Sequence, residues 1–444
     1  MVGYDAVGAG GRIAVALIAF ASFGGLFLPP VRGYVLTPRR VVVASALLLT
    51  VAVLAPPGGS HDLWSYAAYG RLLSVHHASP FTQVPADFPR DPLLHLVAKG
   101  WRHTGSVYGP GFVALSAAGT AVTGTSELAT RLFFQLLPAL ALGAIALIIW
   151  RRTRSPVALA FVALNPAVVL VVNGGHNDLL VGLALLGGTL LLQDGHPRRA
   201  GLVLAAGALV KLVLVLPLGA LLLWSARRHQ ARASFEAGAI AVLVLVTGYL
   251  IAGGASAFGP LVHASKQHSR SSFWQIATQW VVDPLGIPRA TQFRIEGAAA
   301  LVLVAAVVLV VVMGATRSGA AAVRAGPGGD AIVAGTATLV FLLAGAYILP
   351  WYSAWVIPVF GLVWYSRVAV LAVAQASFIG VAYAAPLLVG GAVSVYAQKI
   401  LPLALPVALT YLIWSAWRGR LGAPMGASPG RPDGVAARAP AAPS

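Results

Sequence analysis

The sequence predicts an all-α protein, built as a polytopic bundle of transmembrane helices. Of its 444 residues, 58% are hydrophobic and only 9% are charged, whereas a globular domain has about 25% charged residues. So few ionisable groups cannot cover the surface of a soluble protein of this size. The apolar stretches are continuous rather than alternating, which favours helices over a membrane β-barrel. We therefore expect about 11–13 membrane helices in a single domain over residues 1–420.

The apolar runs define the individual spans, since a helix needs about 20 apolar residues to cross a bilayer. Two stretches leave alternatives open. Residues 110–124 are short and contain glycine, which is consistent with a re-entrant helix. Residues 200–224 are long enough for one span, or for two short helices joined near Lys211. The remaining predicted spans are 11–29, 41–55, 127–150, 156–172, 179–193, 235–252, 297–315, 331–349, 368–386 and 399–417.

The distribution of charge predicts how these spans are oriented. Thirty Lys and Arg residues face twelve Asp and Glu, which gives a net charge of +18. The basic residues lie in short clusters between apolar runs, which is typical of cytoplasmic loops and not of a nucleic-acid surface. Placing these clusters inside leaves two long outer loops, 56–109, with short helices, and 253–296. We therefore expect a multi-pass membrane protein with its functional site on the outer face and a disordered cytoplasmic tail at 421–444.

Several classes of site have no support in the sequence. The chain contains no cysteine, so disulfides, zinc thiolates and iron–sulfur centres are excluded. It has no GxxxxGK[ST] phosphate loop and no HExxH motif, so nucleotide-driven transport and zinc-metalloprotease chemistry lack support. No metal site is predicted, because a single His-x-Asp pair is too little to define one.

The first candidate for chemistry is Asp62, which directly follows the second predicted span. It lies near the start of a predicted helix, 61–74, and shares one helical face with Tyr66 and Tyr69. A carboxylate beside hydroxyl groups at a membrane–water boundary suits a general base. The alternative is a helix N-cap, which contributes about 1 kcal/mol to stability.

The second candidate is the turn Asn173-Gly174-Gly175-His176-Asn177-Asp178. Its two glycines would bring the polar side chains of residues 176–178 together, although the same residues are also ordinary turn and helix-cap chemistry. Lys211 is the only lysine in the apolar stretch 200–224. A charge at membrane depth needs a partner, and Asp178, Asp62 or a lipid phosphate would serve. The alternative is that its side chain snorkels to the interface.

Aromatic residues near the predicted outer face form a third candidate. Trp351, Tyr352 and Trp355 could stack on sugar rings, or they could form an aromatic belt at the lipid headgroups. The second outer loop adds two cations, Lys266 and Arg270. Polar and aromatic residues concentrated on one side of a helical bundle favour a binding site there.

Taken in order, these motifs resemble one known family. The carrying segments are His61-Asp62-Leu63-Trp64-Ser65-Tyr66 with Gly70-Arg71, Ser79-Pro80-Phe81, Asp91-Pro92-Leu93-Leu94, Tyr108-Gly109-Pro110, Asn165-Pro166, residues 174–178, Leu209-Val210-Lys211 and Pro350-Trp351-Tyr352 with Trp355. They are similar to those of the actinobacterial polyprenol-phosphomannose-dependent α-1,6-mannopyranosyltransferases, which have the GT-C fold. The resemblance covers roughly residues 56–360, and its motifs are weak singly but fairly specific as an ordered set.

The resemblance implies an inverting sugar transfer, of mannose, from a polyprenyl-phosphate donor to a cell-envelope glycan or lipoglycan. Asp62 would be the general base, and Arg71, Lys211, Lys266 and Arg270 would hold the phosphate. No cofactor is needed, because the activated sugar arrives on the lipid. The other residues implied at the substrate site are His61, Tyr66, Tyr108, His176, Asn177, Asp178, Trp351, Tyr352 and Trp355.

Two other functions remain open at this point. A transporter or flippase of a lipid-linked sugar would explain the spans and the cations, but not the long aromatic-rich outer loops, and the sequence shows no inverted repeat of the transporter kind. A non-catalytic subunit of an envelope-assembly complex is the third interpretation.

Overall fold

A computed structural model describes residues 9–264, 269, 272–317, 328–384 and 401–423 of the chain. The described residues form helices and connecting turns, and no β-strand occurs among them. The predicted all-α fold class is therefore confirmed.

Nineteen α-helices build the described part of the bundle. In chain order they are α1 (Ala9–Gly25), α2 (Pro29–Val35), α3 (Pro38–Leu54), α4 (Asp62–Ser74), α5 (Pro110–Thr123), α6 (Glu127–Thr153), α7 (Pro156–Ala163), α8 (Pro166–Asn173), α9 (Asp178–Gln193), α10 (Pro197–Ala208), α11 (Val215–Arg227), α12 (Ala231–Ile251), α13 (Gly259–Ala264), α14 (Phe273–Ala277), α15 (Arg289–Arg317), α16 (Gly328–Ala344), α17 (Ile357–Phe360), α18 (Arg367–Ala384) and α19 (Ala404–Trp417).

The lengths of these helices agree with a multi-pass membrane protein. Within the described ranges, α6, α12, α15 and α18 are each long and apolar enough to cross a bilayer. Two bent pairs, α1 with α2 and α7 with α8, would each make a further span, and the other apolar helices are shorter. The predicted total of about 11–13 membrane helices stays a prediction.

The predicted single span 156–172 is broken in the structure. Helices α7 and α8 meet at an angle of 45°, because Pro166 has no N–H to continue the helical ladder. The side-chain carbonyl of Asn165 accepts from the backbone N–H of Ala167 and so caps the new helix. The apolar run alone did not reveal this bend.

The stretch 200–224 is also divided, which fits the alternative of two helices joined near Lys211. Helix α10 ends at Ala208, and a short 3-10 turn, Leu212–Leu214, leads into α11. The carbonyls of Leu209 and Val210 accept from backbone N–H groups at residues 109–112. A side chain at Gly109 would lie 2.2 Å from the Leu209 carbonyl oxygen, so only glycine permits this approach. These backbone contacts therefore fix the start of α5 against the break at Lys211.

The first predicted outer loop, 56–109, is an ordered layer. It contains α4 and three short 3-10 turns, Pro85–Asp87, Leu94–Leu96 and Lys99–Trp101. Helix α4 packs against α5 so closely that a side chain at Gly70 would meet the Ser116 carbonyl oxygen at 2.5 Å. This packing fixes the direction in which α4 presents its first residue, Asp62.

The main core draws buried apolar side chains from α3, α6–α12 and α15–α19. Its edge reaches Leu421, which is buried. Residues 421–423, which the sequence assigns to the tail, form a turn here. Residues 424–444 lie outside the described part of the chain.

Candidate functional site

Asp62 is the first residue of α4, and it faces a partly enclosed site. Its backbone N–H donates to the Ser60 hydroxyl at 3.1 Å, and the N-cap residue of the helix is His61. Asp62 is therefore not the helix cap. Its side chain is 15% exposed, which leaves the carboxylate accessible to a ligand.

His176 is the ionisable side chain nearest to this carboxylate. The turn after α8 carries it there, with Gly175 at a φ of +65°, in the left-handed region that favours glycine. The His176 Nδ1 atom lies 3.4 Å from Asp62 Oδ2, which is too long for a strong hydrogen bond. The imidazole stacks on the Trp351 ring with centroids 4.2 Å apart. Stacking therefore orients the imidazole, with Nδ1 directed at the Asp62 carboxylate.

The environment keeps Asp62 ionised at neutral pH. Burial by itself would raise the pKa of the Asp62 carboxyl, but the neighbouring His176, the Ser60 hydroxyl and the positive charge of Lys211 outweigh it. The net effect lowers the pKa of Asp62 below its ordinary value. A buried carboxylate held in its charged form is characteristic of functional sites.

Asp178 and Lys211 form a buried ion pair beside this group. The Lys211 ammonium donates to Asp178 Oδ1 at 2.6 Å, and the Trp355 indole N–H donates to the same oxygen at 2.5 Å. The Asp178 side chain is fully buried and that of Lys211 is 11% exposed. Of the predicted partners for Lys211, the structure therefore selects Asp178.

Aromatic rings enclose the Lys211 ammonium. Its Nζ atom lies 4.8 Å from the ring centroid of Tyr352, 5.4 Å from that of Trp355 and 5.6 Å from that of Tyr108. Tyr66 meets the Tyr108 ring edge to face, with centroids 4.8 Å apart. These rings combine cation–π attraction with exclusion of water. The segment 350–355 is thus part of the site and not only a membrane anchor.

Some buried polar atoms at the site have no protein partner within the described residues. They include both amide atoms of Asn177, the second carboxylate oxygen of Asp178, the Tyr66 hydroxyl and His176 Nδ1. Buried polar groups normally have partners, so unpaired ones indicate where water or a polar ligand binds. No group of three or more His, Cys, Asp or Glu side chains in the described ranges is arranged to hold a metal.

A large apolar cavity leads to the site. It has a volume of about 1130 Å³ and lies among α1, α3, α8 and α18. One end is lined by Gly59, His176, Tyr347 and Trp351, and the other end reaches Arg40 near the start of α3. Its volume exceeds the roughly 300–1,000 Å³ of small-molecule pockets, which suits a long apolar ligand.

Two predicted site residues, Arg71 and His61, make other contacts, and two fall outside the described residues. Arg71 is buried; its Nε donates to Asp91 at 2.8 Å and its Nη1 to the Gly124 carbonyl at 2.9 Å. His76 contacts the same Asp91 oxygen at 2.8 Å, so Arg71 anchors the outer loop and we no longer assign it to a phosphate. His61 Nδ1 lies 3.3 Å from the Leu96 carbonyl oxygen. Lys266 and Arg270 lie outside the described residues.

Sequence reasoning missed two tyrosines that line the cavity, Tyr347 and Tyr383. The edge of the Tyr383 ring contacts Trp351, with centroids 5.7 Å apart. The negative charge of Asp62 is among the influences that raise the pKa of Tyr347, after burial. The position of Tyr347, three residues before Pro350, was the available signal.

Comparison with known proteins agrees with the resemblance seen in the motifs. Residues 7–227 match a family described as alpha-(1->6)-mannopyranosyltransferase, N-terminal domain. The chain is also 29% identical over 271 residues to alpha-(1->6)-mannopyranosyltransferase A of Mycobacterium tuberculosis. That alignment covers 56% of this chain and 49% of the relative, so the chain spans about half the length of the curated protein it matches. The predicted family resemblance is confirmed.

Proposed function

We propose that this chain, whose residues 7–227 match the alpha-(1->6)-mannopyranosyltransferase family, is a membrane mannosyltransferase that uses a polyprenyl-phosphate donor. The sugar is transferred with inversion to a cell-envelope glycan or lipoglycan, on the extracytoplasmic face of the plasma membrane. The observation that carries the proposal is the ionised Asp62 beside His176, at the end of a large apolar cavity.

The cavity supports a lipid-linked donor. Each CH₂ group of a lipid chain that leaves water contributes about 0.8 kcal/mol, so an apolar channel next to the reacting groups suits a prenyl chain. The polar end at His176 and Trp351 would receive the phosphate and sugar. Such a donor needs no nucleotide-binding fold and no cofactor, in agreement with the absence of a phosphate-loop motif from the sequence.

The chemistry then needs one base and stabilisation of one leaving group. An Asp62 oxygen takes the proton of the acceptor hydroxyl while the hydroxyl oxygen of the acceptor attacks the anomeric carbon. The bond from the anomeric carbon to the phosphate oxygen breaks, and the prenyl phosphate leaves with the electron pair. A lowered pKa makes Asp62 a weak base in the resting site. The negative phosphate of the donor would raise the pKa as it binds nearby, bringing it closer to the operating pH.

Lys211 is the proposed cation for the phosphate. In the resting site it is paired with Asp178, whose carboxylate holds the ammonium in place and balances its positive charge. Asn177 and Asp178, with unpaired polar atoms, would bind sugar hydroxyls, and Tyr66, Tyr108, Trp351, Tyr352 and Trp355 would pack against the sugar. Lys266, Arg270 and His61 remain proposals on the strength of the family resemblance alone.

The lowered pKa of Asp62 predicts a pH dependence. A carboxyl with a lowered pKa stays ionised until the pH falls through that value, so wild-type kcat/KM, which reports the free enzyme, should show no acid limb from Asp62 between about pH 5 and 8. The variant His176→Phe retains a ring on Trp351 but loses Nδ1, which removes the largest of the influences that lower the pKa of Asp62. We expect its acid limb to move up into this range in initial-rate measurements. His95→Phe, at a site 64% exposed, is the control, and an unchanged profile in His176→Phe would contradict the assignment.

The cavity predicts a dependence on prenyl-chain length. Ala44 lines the cavity from α3, so Ala44→Trp should obstruct a long chain and raise the KM for a long-chain donor about tenfold, equivalent to ~1.4 kcal/mol. A donor with a short prenyl chain should be unaffected. The matched control is Val43→Trp, since Val43 is 51% exposed and does not line the cavity. Equal effects on both donors would contradict a prenyl site here.

A flippase for a lipid-linked sugar is the second candidate, because the cavity follows α3 from Arg40 to the loop at Gly59. Purified protein in vesicles loaded with a fluorescent polyprenyl-phosphate sugar distinguishes the two functions. Movement of the lipid without sugar transfer would favour the flippase. Transfer to an added glycan acceptor, with no movement of the lipid, supports the enzyme.

A further inference from the structure

We propose that Gln135 is a positioning residue, which sets the separation of Asp62 and His176 by holding the two loops that carry them. The importance of Gln135 for catalysis rests on the proposed function. Its hydrogen bonds, in contrast, are contacts remote from the reacting atoms. Gln135 lies on α6 and is fully buried. No motif in the sequence singled it out.

The side-chain amide of Gln135 forms hydrogen bonds to the C-terminal ends of two helices. Its Nε2 atom donates to the carbonyls of Ala52 at 3.2 Å, Ala55 at 3.0 Å and Asn173 at 2.8 Å. The first two belong to the end of α3 and the third to the last residue of α8. Carbonyls at a helix C-terminus lack partners within the helix and carry partial negative charge. A buried side-chain amide donor therefore satisfies both ends at once.

Asn173 extends the same network into the loop before Asp62. Its Nδ2 atom donates to the carbonyls of Ala52 at 3.1 Å and Pro56 at 3.0 Å, and its Oδ1 atom accepts from the Gly58 N–H at 3.0 Å. Asp62 follows Gly58 by four residues, and His176 follows Asn173 by three. The two loops are thus joined only a few residues before each functional side chain.

Both connecting segments depend on this anchor because they contain flexible glycines. Gly59 has a φ of +77° and Gly175 a φ of +65°, and glycine restricts the backbone less than other residues. The packing of α4 and the stacking of His176 on Trp351 orient each side chain within its own element, whereas the Gln135–Asn173 network joins the two elements, so we expect it to set the 3.4 Å separation of Asp62 and His176. A misplacement of about 1 Å in a catalytic group can reduce the rate about 10²-fold.

Loss of the Gln135–Asn173 network should therefore change the pH at which Asp62 takes up a proton. His176 and Lys211 lower the pKa of Asp62 against its burial. The tyrosines that its charge also reaches, Tyr66, Tyr69, Tyr108, Tyr347 and Tyr352, have pKa values raised by burial and stay neutral. Moving His176 away removes the largest of the influences that lower the pKa of Asp62, so Asp62 would take up a proton at a higher pH.

The test replaces Gln135 by methionine, which has similar volume but no amide. A hydrophobic carbodiimide reacts with protonated carboxyl groups, and mass spectrometry of the full-length protein in detergent would give the labelling of Asp62 against pH. We expect labelling in Gln135→Met to extend at least about one pH unit higher than in wild type, with kcat falling about tenfold to 10²-fold and KM little changed. Asn173→Ser should shift labelling in the same direction from the other side of the network.

The control is Thr189→Val, at a buried residue whose hydroxyl, among the described residues, bonds to its own helix alone, through the Leu185 carbonyl. Unchanged labelling in both folded network variants would overturn the positioning role, as would an equal shift in Thr189→Val. Because labelling does not require turnover, a shift in protein that transfers no sugar would support the positioning role while the proposed function fails. If Gln135→Met does not fold, Asn173→Ser alone decides the question.

Discussion

Replacing Asp62 by asparagine should reduce sugar transfer about 10²–10⁴-fold, the usual contribution of a general base. Asparagine has nearly the same shape, but it cannot take the proton of the acceptor hydroxyl. The substitution removes a charge that is 15% exposed and is not the cap of α4, so folding should survive. Initial rates on membranes supplied with a polyprenyl-phosphate sugar measure the effect in kcat.

The matched control is Asp87→Asn, which makes the same chemical change in the same loop. Asp87 is exposed and accepts from the backbone N–H of Val84, remote from the apolar cavity. Its transfer rate should equal that of wild type. An Asp62→Asn variant that is folded and retains the wild-type rate would remove the base assignment.

Replacing Lys211 by methionine should reduce stability by about 3–5 kcal/mol, because it leaves Asp178 charged, buried and without its cation. The Trp355 indole N–H would be the remaining donor to Asp178 Oδ1. The double variant Lys211→Met, Asp178→Asn removes both charges and should regain much of that stability. Transfer should remain lost in both variants, because neither has a cation for the departing phosphate.

Thermal denaturation in detergent, followed by tryptophan fluorescence, measures these differences. The control pair is Arg152 with Asp194, whose side chains are 41% and 36% exposed. Arg152→Met should change stability by only about 0–1 kcal/mol. A Lys211→Met variant as stable as Arg152→Met, or a double variant that transfers at the wild-type rate, would contradict the role given to Lys211.

The fold class followed from composition, because burying so apolar a chain permits few alternatives. The start of α4 was predicted within one residue, since the turn before it and the helical spacing of Tyr66 and Tyr69 are local signals. The bend at Pro166 was not, because the apolar run continues through it. Arg71 could not be separated from the site cations, because its partner Asp91 lies 20 residues further along the chain.

For the site, too, local motifs predicted the candidate residues, whereas the contacts between them depend on long-range packing. Motifs placed Asp62, His176 and Trp351 among the candidates, but their proximity depends on how α4, α8 and the segment 350–355 pack. For Lys211 the sequence left several partners open, and Asp178 emerged only because α9 and the break after α10 meet. Gln135 left no signal, since a glutamine within an apolar helix does not reveal which carbonyls it will meet.

The most direct test of the account is the stereochemistry of the product. Full-length protein in liposomes would receive a polyprenyl-phosphate mannose of defined anomeric configuration and a mannan acceptor, and NMR would determine the new linkage. We predict transfer with the configuration opposite to that of the donor, and no transfer from a nucleotide-linked mannose. Retention of configuration, or transfer from the nucleotide sugar alone, would contradict a single displacement assisted by Asp62.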